Sequence, residues 1–64
     1  MTLGEKIKYH RKRRGIQLQD MAELVGVSRQ ALHKYESDIW IPPFPTISCI
    51  AKVLGVSLDY LAWG

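Results

Sequence analysis

Arg29, Gln30, His33 and Lys34 stand at positions i, i+1, i+4 and i+5 of one stretch. On an α-helix those offsets share a face, so four side chains with hydrogen-bonding heads would reach outward together. Arginine and lysine pair with the O6 and N7 acceptors of guanine, glutamine with N6 and N7 of adenine, and each good bidentate pair contributes roughly 1–3 kcal/mol of discrimination. Such a set suits the base edges of a DNA major groove, which is about 12 Å wide and admits one helix. The plainer reading is a solvated polar face, the usual fate of such residues.

A helix must hold those four residues, and the flanking sequence supplies one. Ser28 is a strong N-cap, and Leu32 and Tyr35 fall on the inner face of a helix over about 29–36. Before it, Leu18, Met21, Ala22 and Val25 mark the apolar face of another short helix, which ends at Gly26, a residue that takes positive φ at no steric cost. Two short helices joined by so tight a turn predict a helix-turn-helix over about residues 18–36. Around this unit the periodicity predicts a first helix from about Leu3 to Arg14, stopped by Gly15. A loop follows from Ser37 to Pro45, where three prolines fall in four positions. A fourth helix is expected over about Phe44 to Leu54, with Phe44, Ile47, Ile50, Ala51 and Leu54 facing inward, and a short fifth over Leu58 to Ala62, capped by Ser57.

Charge sharpens the choice between the two readings. Residues 1–34 carry eight of the nine Lys/Arg against Glu5, Asp20 and Glu23, a net +5, whereas residues 35–64 carry Lys52 against Glu36, Asp38 and Asp59, a net −2. The basic half is where a polyanion would bind. An internal repetition supplies a control: Ala22-Glu-Leu-Val-Gly-Val-Ser28 matches Ala51-Lys-Val-Leu-Gly-Val-Ser57 at a period of 29. The helix after Ser28 offers Arg29, Gln30, His33 and Lys34, while the one after Ser57 offers Asp59, Ala62 and Trp63. Phosphates attract the first and not the second.

With 64 residues the chain has room for one domain, 1–64, and a chain this short buries only about 60% of its unfolded surface, so self-association would help it. The single Cys49 forms no internal disulfide and has no ligand spacing around it, so neither a disulfide scaffold nor a metal site is expected; Cys49 reads as a small packing residue of helix 4. His10 reads as a partly buried, satisfied histidine. No paired carboxylates, nucleophile with base and orienter, or Gly-rich phosphate loop appears, so neither an enzyme nor a cofactor is expected. No apolar stretch approaches the ~18 residues of a membrane span and the first residues lack signal-peptide character, so the expectation is a cytoplasmic protein with no membrane partner.

The residues Leu3-Gly-Glu-Lys-Ile7, Arg11, Arg14-Gly15-Ile16, Met21-Ala22, Gly26-Val27-Ser28-Arg29, Leu32, Tyr35-Glu36, Pro42 and Ile50 to Asp59 together resemble the phage repressor/Cro-type helix-turn-helix domains, the XRE family, along essentially the whole chain. The resemblance implies an all-α, compact five-helix bundle of the lambda-repressor-like type. It also implies sequence-specific binding of double-stranded operator DNA, commonly as a homodimer on a palindrome, and a role in transcriptional regulation. By position it makes Arg29, Gln30 and Lys34 the base readers with His33 beside them, puts Ser28 and Gln17 against phosphate, and pairs Arg11 with Glu36. With no sensor domain in the chain, a Cro-like stand-alone reader is expected.

The chain departs from that pattern in three places. Gln17 and Leu18 stand where the family has Ser/Thr and then Gln, and His10 replaces a core leucine. Ser37-Asp38-Ile39-Trp40-Ile41 replaces an Asn-Gly turn followed by cations. Lys6, Lys8, Lys12, Arg13 and Arg14 suit either the helix dipole or a phosphate backbone, with Lys12 and Arg13 the expected phosphate contacts. Ile41 is expected to fold back onto the core. Ile39, Trp40 and Trp63 would leave apolar surface of the kind that marks an interface. A second function therefore stands beside the first: a protein-interaction module, antitoxin-like or a co-regulator, using the loop 39–44.

Overall fold

The computed structural model describes all of residues 1–64 and contains five helices: α1 Leu3–Arg13, α2 Leu18–Val25, α3 Arg29–Glu36, α4 Phe44–Leu54 and α5 Leu58–Trp63. Each boundary has a local cause. Thr2 and Glu5 form a capping box at the start of α1, the Thr2 hydroxyl accepting from the Glu5 amide and the Glu5 carboxylate accepting from the Thr2 amide. The helix ends one residue earlier than its periodicity predicts, with Arg14 as its cap. Ser28 and Ser57 cap α3 and α5 in the same way, each hydroxyl accepting from the amide three residues on at 3.0 Å.

The 29-residue repetition is thus a structural repeat. In both copies a helix closes on a left-handed glycine, Gly26 at φ 85° and Gly55 at φ 70°, and the next amide returns to the alanine carbonyl five residues back, Val27 to Ala22 and Val56 to Ala51.

Ile7, Met21, Ala22, Leu32, Ile50, Ala51, Leu54 and Leu61 form one buried cluster to which every helix contributes. The α1–α3 crossing is close: a Cβ on Gly4 would lie 2.5 Å from the Tyr35 carbonyl oxygen and 2.6 Å from that of Glu36. Asp38, held at φ 60°, clamps the same crossing by accepting from the Thr2 hydroxyl at 2.5 Å and from the Gly4 amide at 2.9 Å. α5, only six residues long, is held to α1 by Lys6, whose ammonium donates to the Tyr60 carbonyl at 3.0 Å, and by His10, whose Nε2 lies 2.9 Å from the Tyr60 hydroxyl.

Two sequence expectations fail at the start of α4. Phe44 is 67% exposed rather than inward, and Ile41 is 84% exposed rather than folded back. The residue that enters the interior there is Pro42. The fully buried part of α4 lies in its second half, at Ile50, Ala51 and Leu54, so its first turn projects past the core and its periodicity outruns the partners available to cover it.

Candidate nucleic-acid interface

α3 is set on the bundle by Leu32, which has no exposure, and by Glu36, which is buried. Glu36 is bound bidentately by Arg11, Nε to Oε2 at 2.7 Å and Nη2 to Oε1 at 3.1 Å. Arg11 also donates from Nη1 to the Ile16 carbonyl at 2.8 Å, tying the end of α1, the approach to α2 and the end of α3 to one guanidinium. With that inner face locked, Arg29, Gln30 and His33 are exposed on the other side.

Lys34 differs from its neighbours. It is half-buried, and its ammonium stands 4.4 Å from the centroid of the Trp40 ring. The chain after α3 turns back so that the Ile39 and Trp40 amides both donate to the Lys34 carbonyl, at 3.0 and 3.3 Å, which brings the indole under its own lysine. Tyr35 supports the indole from a ring-centroid distance of 6.4 Å. A cleft of about 570 Å³ opens on this side, bounded by Ser28, Arg29, Gln30 and Lys34 together with Leu18 and Trp40.

The structure thus gathers Ser28, Arg29, Gln30, His33 and Lys34 around one opening, which Gln17, Lys12, Arg13 and Trp63 do not line. Gln17 is the exposed N-cap of α2 and makes no capping bond with its side chain. Lys12 is exposed, and Arg13 donates to the Tyr9 hydroxyl at 2.9 Å, a bond that raises its pKa above the ordinary arginine value. Trp63 is 86% exposed at the end of α5. Ile39 at 63% and Trp40 at 49% join Ile41 and Phe44 as exposed apolar side chains of the α3–α4 connection. Cys49 is half-buried, its Sγ 3.8 Å from the Val25 carbonyl.

Sequence reasoning missed the Lys34–Trp40 pair and the place of Leu18 in the cleft. The first joins residues six apart across a turn, which no helical spacing reveals, and the second depends on how α2 crosses α3.

A family model described as helix-turn-helix matches residues 7–61. A Bacillus subtilis relative, the SPbeta prophage-derived HTH-type transcriptional regulator YonR, is 38% identical over 61 residues, covering 95% of this chain and 56% of its own length. The chain spans about half the length of the curated relatives it matches. Among solved structures, the P22 c2 repressor in complex with a synthetic operator superposes with a TM-score of 0.94 at 31% identity, covering 100% of this chain and 97% of that one. The biofilm master regulator SinR in complex with DNA gives a TM-score of 0.86 at 31% identity, covering 94% of this chain and 97% of that one.

Proposed function

The chain belongs to the helix-turn-helix family, and from that premise we propose that it is a sequence-specific, double-stranded-DNA-binding transcriptional regulator, repressor- or Cro-like, that places α3 in the major groove. The observation that carries this reading is the outer face of α3. Arg29, Gln30 and His33 are exposed there with Lys34 beside them, in the half of the chain that holds a net +5. The repeat supplies the contrast. α5 has the same cap and the same preceding turn but carries Asp59 in its first turn and no basic residue in its last, so local geometry alone does not make a reading helix.

In this reading Arg29, Gln30, His33 and Lys34 face base edges, while Ser28, Gln17, Lys12 and Arg13 face phosphates and set the register. Arg11 and Glu36 hold α3 at its angle to α1 and touch no DNA. Two copies related by a two-fold axis would present their helices to half-sites about one helical turn apart. The deciding experiment is selection of bound sequences from a random duplex pool at ~0.15 M salt, with the Arg29→Ala/Gln30→Ala double variant in parallel. Enrichment of a palindrome that the double variant loses is the expected result; absence of any enriched sequence would overturn the reading.

A second reading has its own observation. Ile39, Trp40, Ile41 and Phe44 place four large apolar side chains in the open on one connection, the kind of surface that a protein partner covers. A partner there, or a second copy of the chain, is compatible with DNA reading by α3.

A further inference from the structure

The cleft beside α3 differs in character from the polar face that surrounds it. Leu18, Ala31 and Trp40 contribute carbon surface to its lining, between the polar heads of Arg29, Gln30 and Lys34. Resting on the DNA-reading function proposed above, we infer that this cleft is a site for the 5-methyl group of a thymine in the operator, with Leu18 and Trp40 as its apolar walls.

The chemistry of the groove selects that occupant. The base edges of the major groove present hydrogen-bond donors and acceptors, and the thymine methyl is the one apolar substituent that projects from the ring among them. Where the occupant touches the carbon of Leu18 and Trp40 rather than the polar heads beside them, a donor or acceptor would lose water without gaining a partner. A methyl loses nothing there, and its burial is favourable. Charge brings the right polymer to the cleft, because Arg29 and Lys34 flank it and residues 1–34 carry a net +5.

The walls are arranged before DNA arrives. The Lys34 ammonium over the indole at 4.4 Å, the Tyr35 ring at 6.4 Å and the backbone bond from the Trp40 amide to the Lys34 carbonyl hold the indole in place. The same contacts restrain Lys34, a long flexible side chain whose ordering would otherwise cost entropy on binding. Trp40 is thus a specificity-determining wall of the cleft and a positioning residue for Lys34.

The test uses the palindrome enriched in the selection experiment, with each thymine replaced singly by deoxyuridine. That change removes the methyl and keeps every hydrogen-bonding group. The wild-type chain is expected to bind roughly fourfold more weakly when one particular thymine per half-site is replaced, the size that follows from one buried methyl-sized group, and to tolerate the other replacements. In Trp40→Ala that penalty disappears at the same position, and in Trp40→Phe it remains. Trp40→Gln, a polar chain at the same exposed site, repeats the Ala measurement if the Ala variant does not fold. Uniform tolerance of deoxyuridine by the wild type overturns the inference, as does a penalty that survives unchanged in both Trp40→Ala and Trp40→Gln. An enriched palindrome without a deoxyuridine penalty overturns this inference alone, whereas a pool with no enriched sequence overturns the DNA reading beneath it. A cleft made for an acidic or apolar peptide would give one of those two negative results.

Discussion

The Arg11 guanidinium and the Glu36 carboxylate meet side by side across the α1–α3 contact, with side-chain exposures of 9% and 4%. Two parallel bonds at 2.7 and 3.1 Å account for both carboxylate oxygens. A pair so enclosed is costly to break, because removing one member leaves the other charged and without water. Glu36→Ala is expected to cost about 3–5 kcal/mol. A chain of this size has only ~3–10 kcal/mol in total, so urea titration followed by far-ultraviolet circular dichroism should find the unfolding midpoint of the variant sharply lowered. The apolar double change Arg11→Met/Glu36→Leu should recover much of that loss; a double variant as unstable as the single one would refute the stranded-charge explanation.

Gly4 sits where α1 touches the end of α3. A methyl group there would meet two backbone carbonyl oxygens, at 2.5 and 2.6 Å, and backbone cannot swing aside as a side chain does. Gly4→Ala should therefore lower stability by about 1–3 kcal/mol, despite the better helix propensity of alanine. In a domain this small the midpoint of thermal unfolding should fall by on the order of 10 °C. A melt at or above the wild-type temperature would show that the crossing can open without cost.

Ser28 and Ser57 make the same capping bond, at 3.0 Å, in the two copies of the repeat. Replacing either with alanine should cost about 1 kcal/mol of stability. Only Ser28→Ala should also weaken DNA binding, since only that helix start is expected to meet phosphate. Parallel thermal melts and binding titrations of the two variants separate the roles; equal effects on binding would count against α3 as the reader.

Base and phosphate contacts leave different signatures. Gln30→Ala should lose roughly 1–3 kcal/mol of discrimination at one position of the operator. Lys12→Ala should weaken binding about equally on all sequences and reduce the slope of log affinity against log salt by about 1. Binding titrations on the operator and on single-base variants, over a range of salt, measure both. An equal loss on every sequence for Gln30→Ala would remove it from the base readers.

If the apolar loop joins two copies of the chain, Trp40→Ala should shift the sedimentation of the protein toward monomer at micromolar concentration. Trp63→Ala applies the same test to the end of α5. Unchanged sedimentation of a variant would free that tryptophan from any role in self-association.

The five helices and their order were readable along the chain because each depends on neighbours in sequence. Leu18, Met21, Ala22 and Val25 recur at helical spacing, Gly26 and Gly55 stop their helices in the left-handed region, and Ser28 and Ser57 cap the next ones. The cationic outer face of α3 was readable for the same reason, since offsets of one, four and five residues share a side of any α-helix. Thr2 with Glu5 carried an equally local signal, the spacing of a capping box, and could have been read from sequence.

Tertiary structure decided what covers what. Periodicity put Phe44 on the inner face of α4, but a helix face is buried only as far as a partner extends, and the core begins a turn or more further on. Lys34 belongs by spacing to a solvated face, yet the chain after α3 folds back and sets an indole against its ammonium. Asp38 reaches Thr2 and Gly4 from 36 and 34 residues away, and Leu18 meets α3 at the cleft only because α2 crosses it there. Hydrophobic spacing along one helix records its own periodicity, whereas contacts between distant residues depend on the angles at which separate helices cross, and those are set by the packing of the whole core.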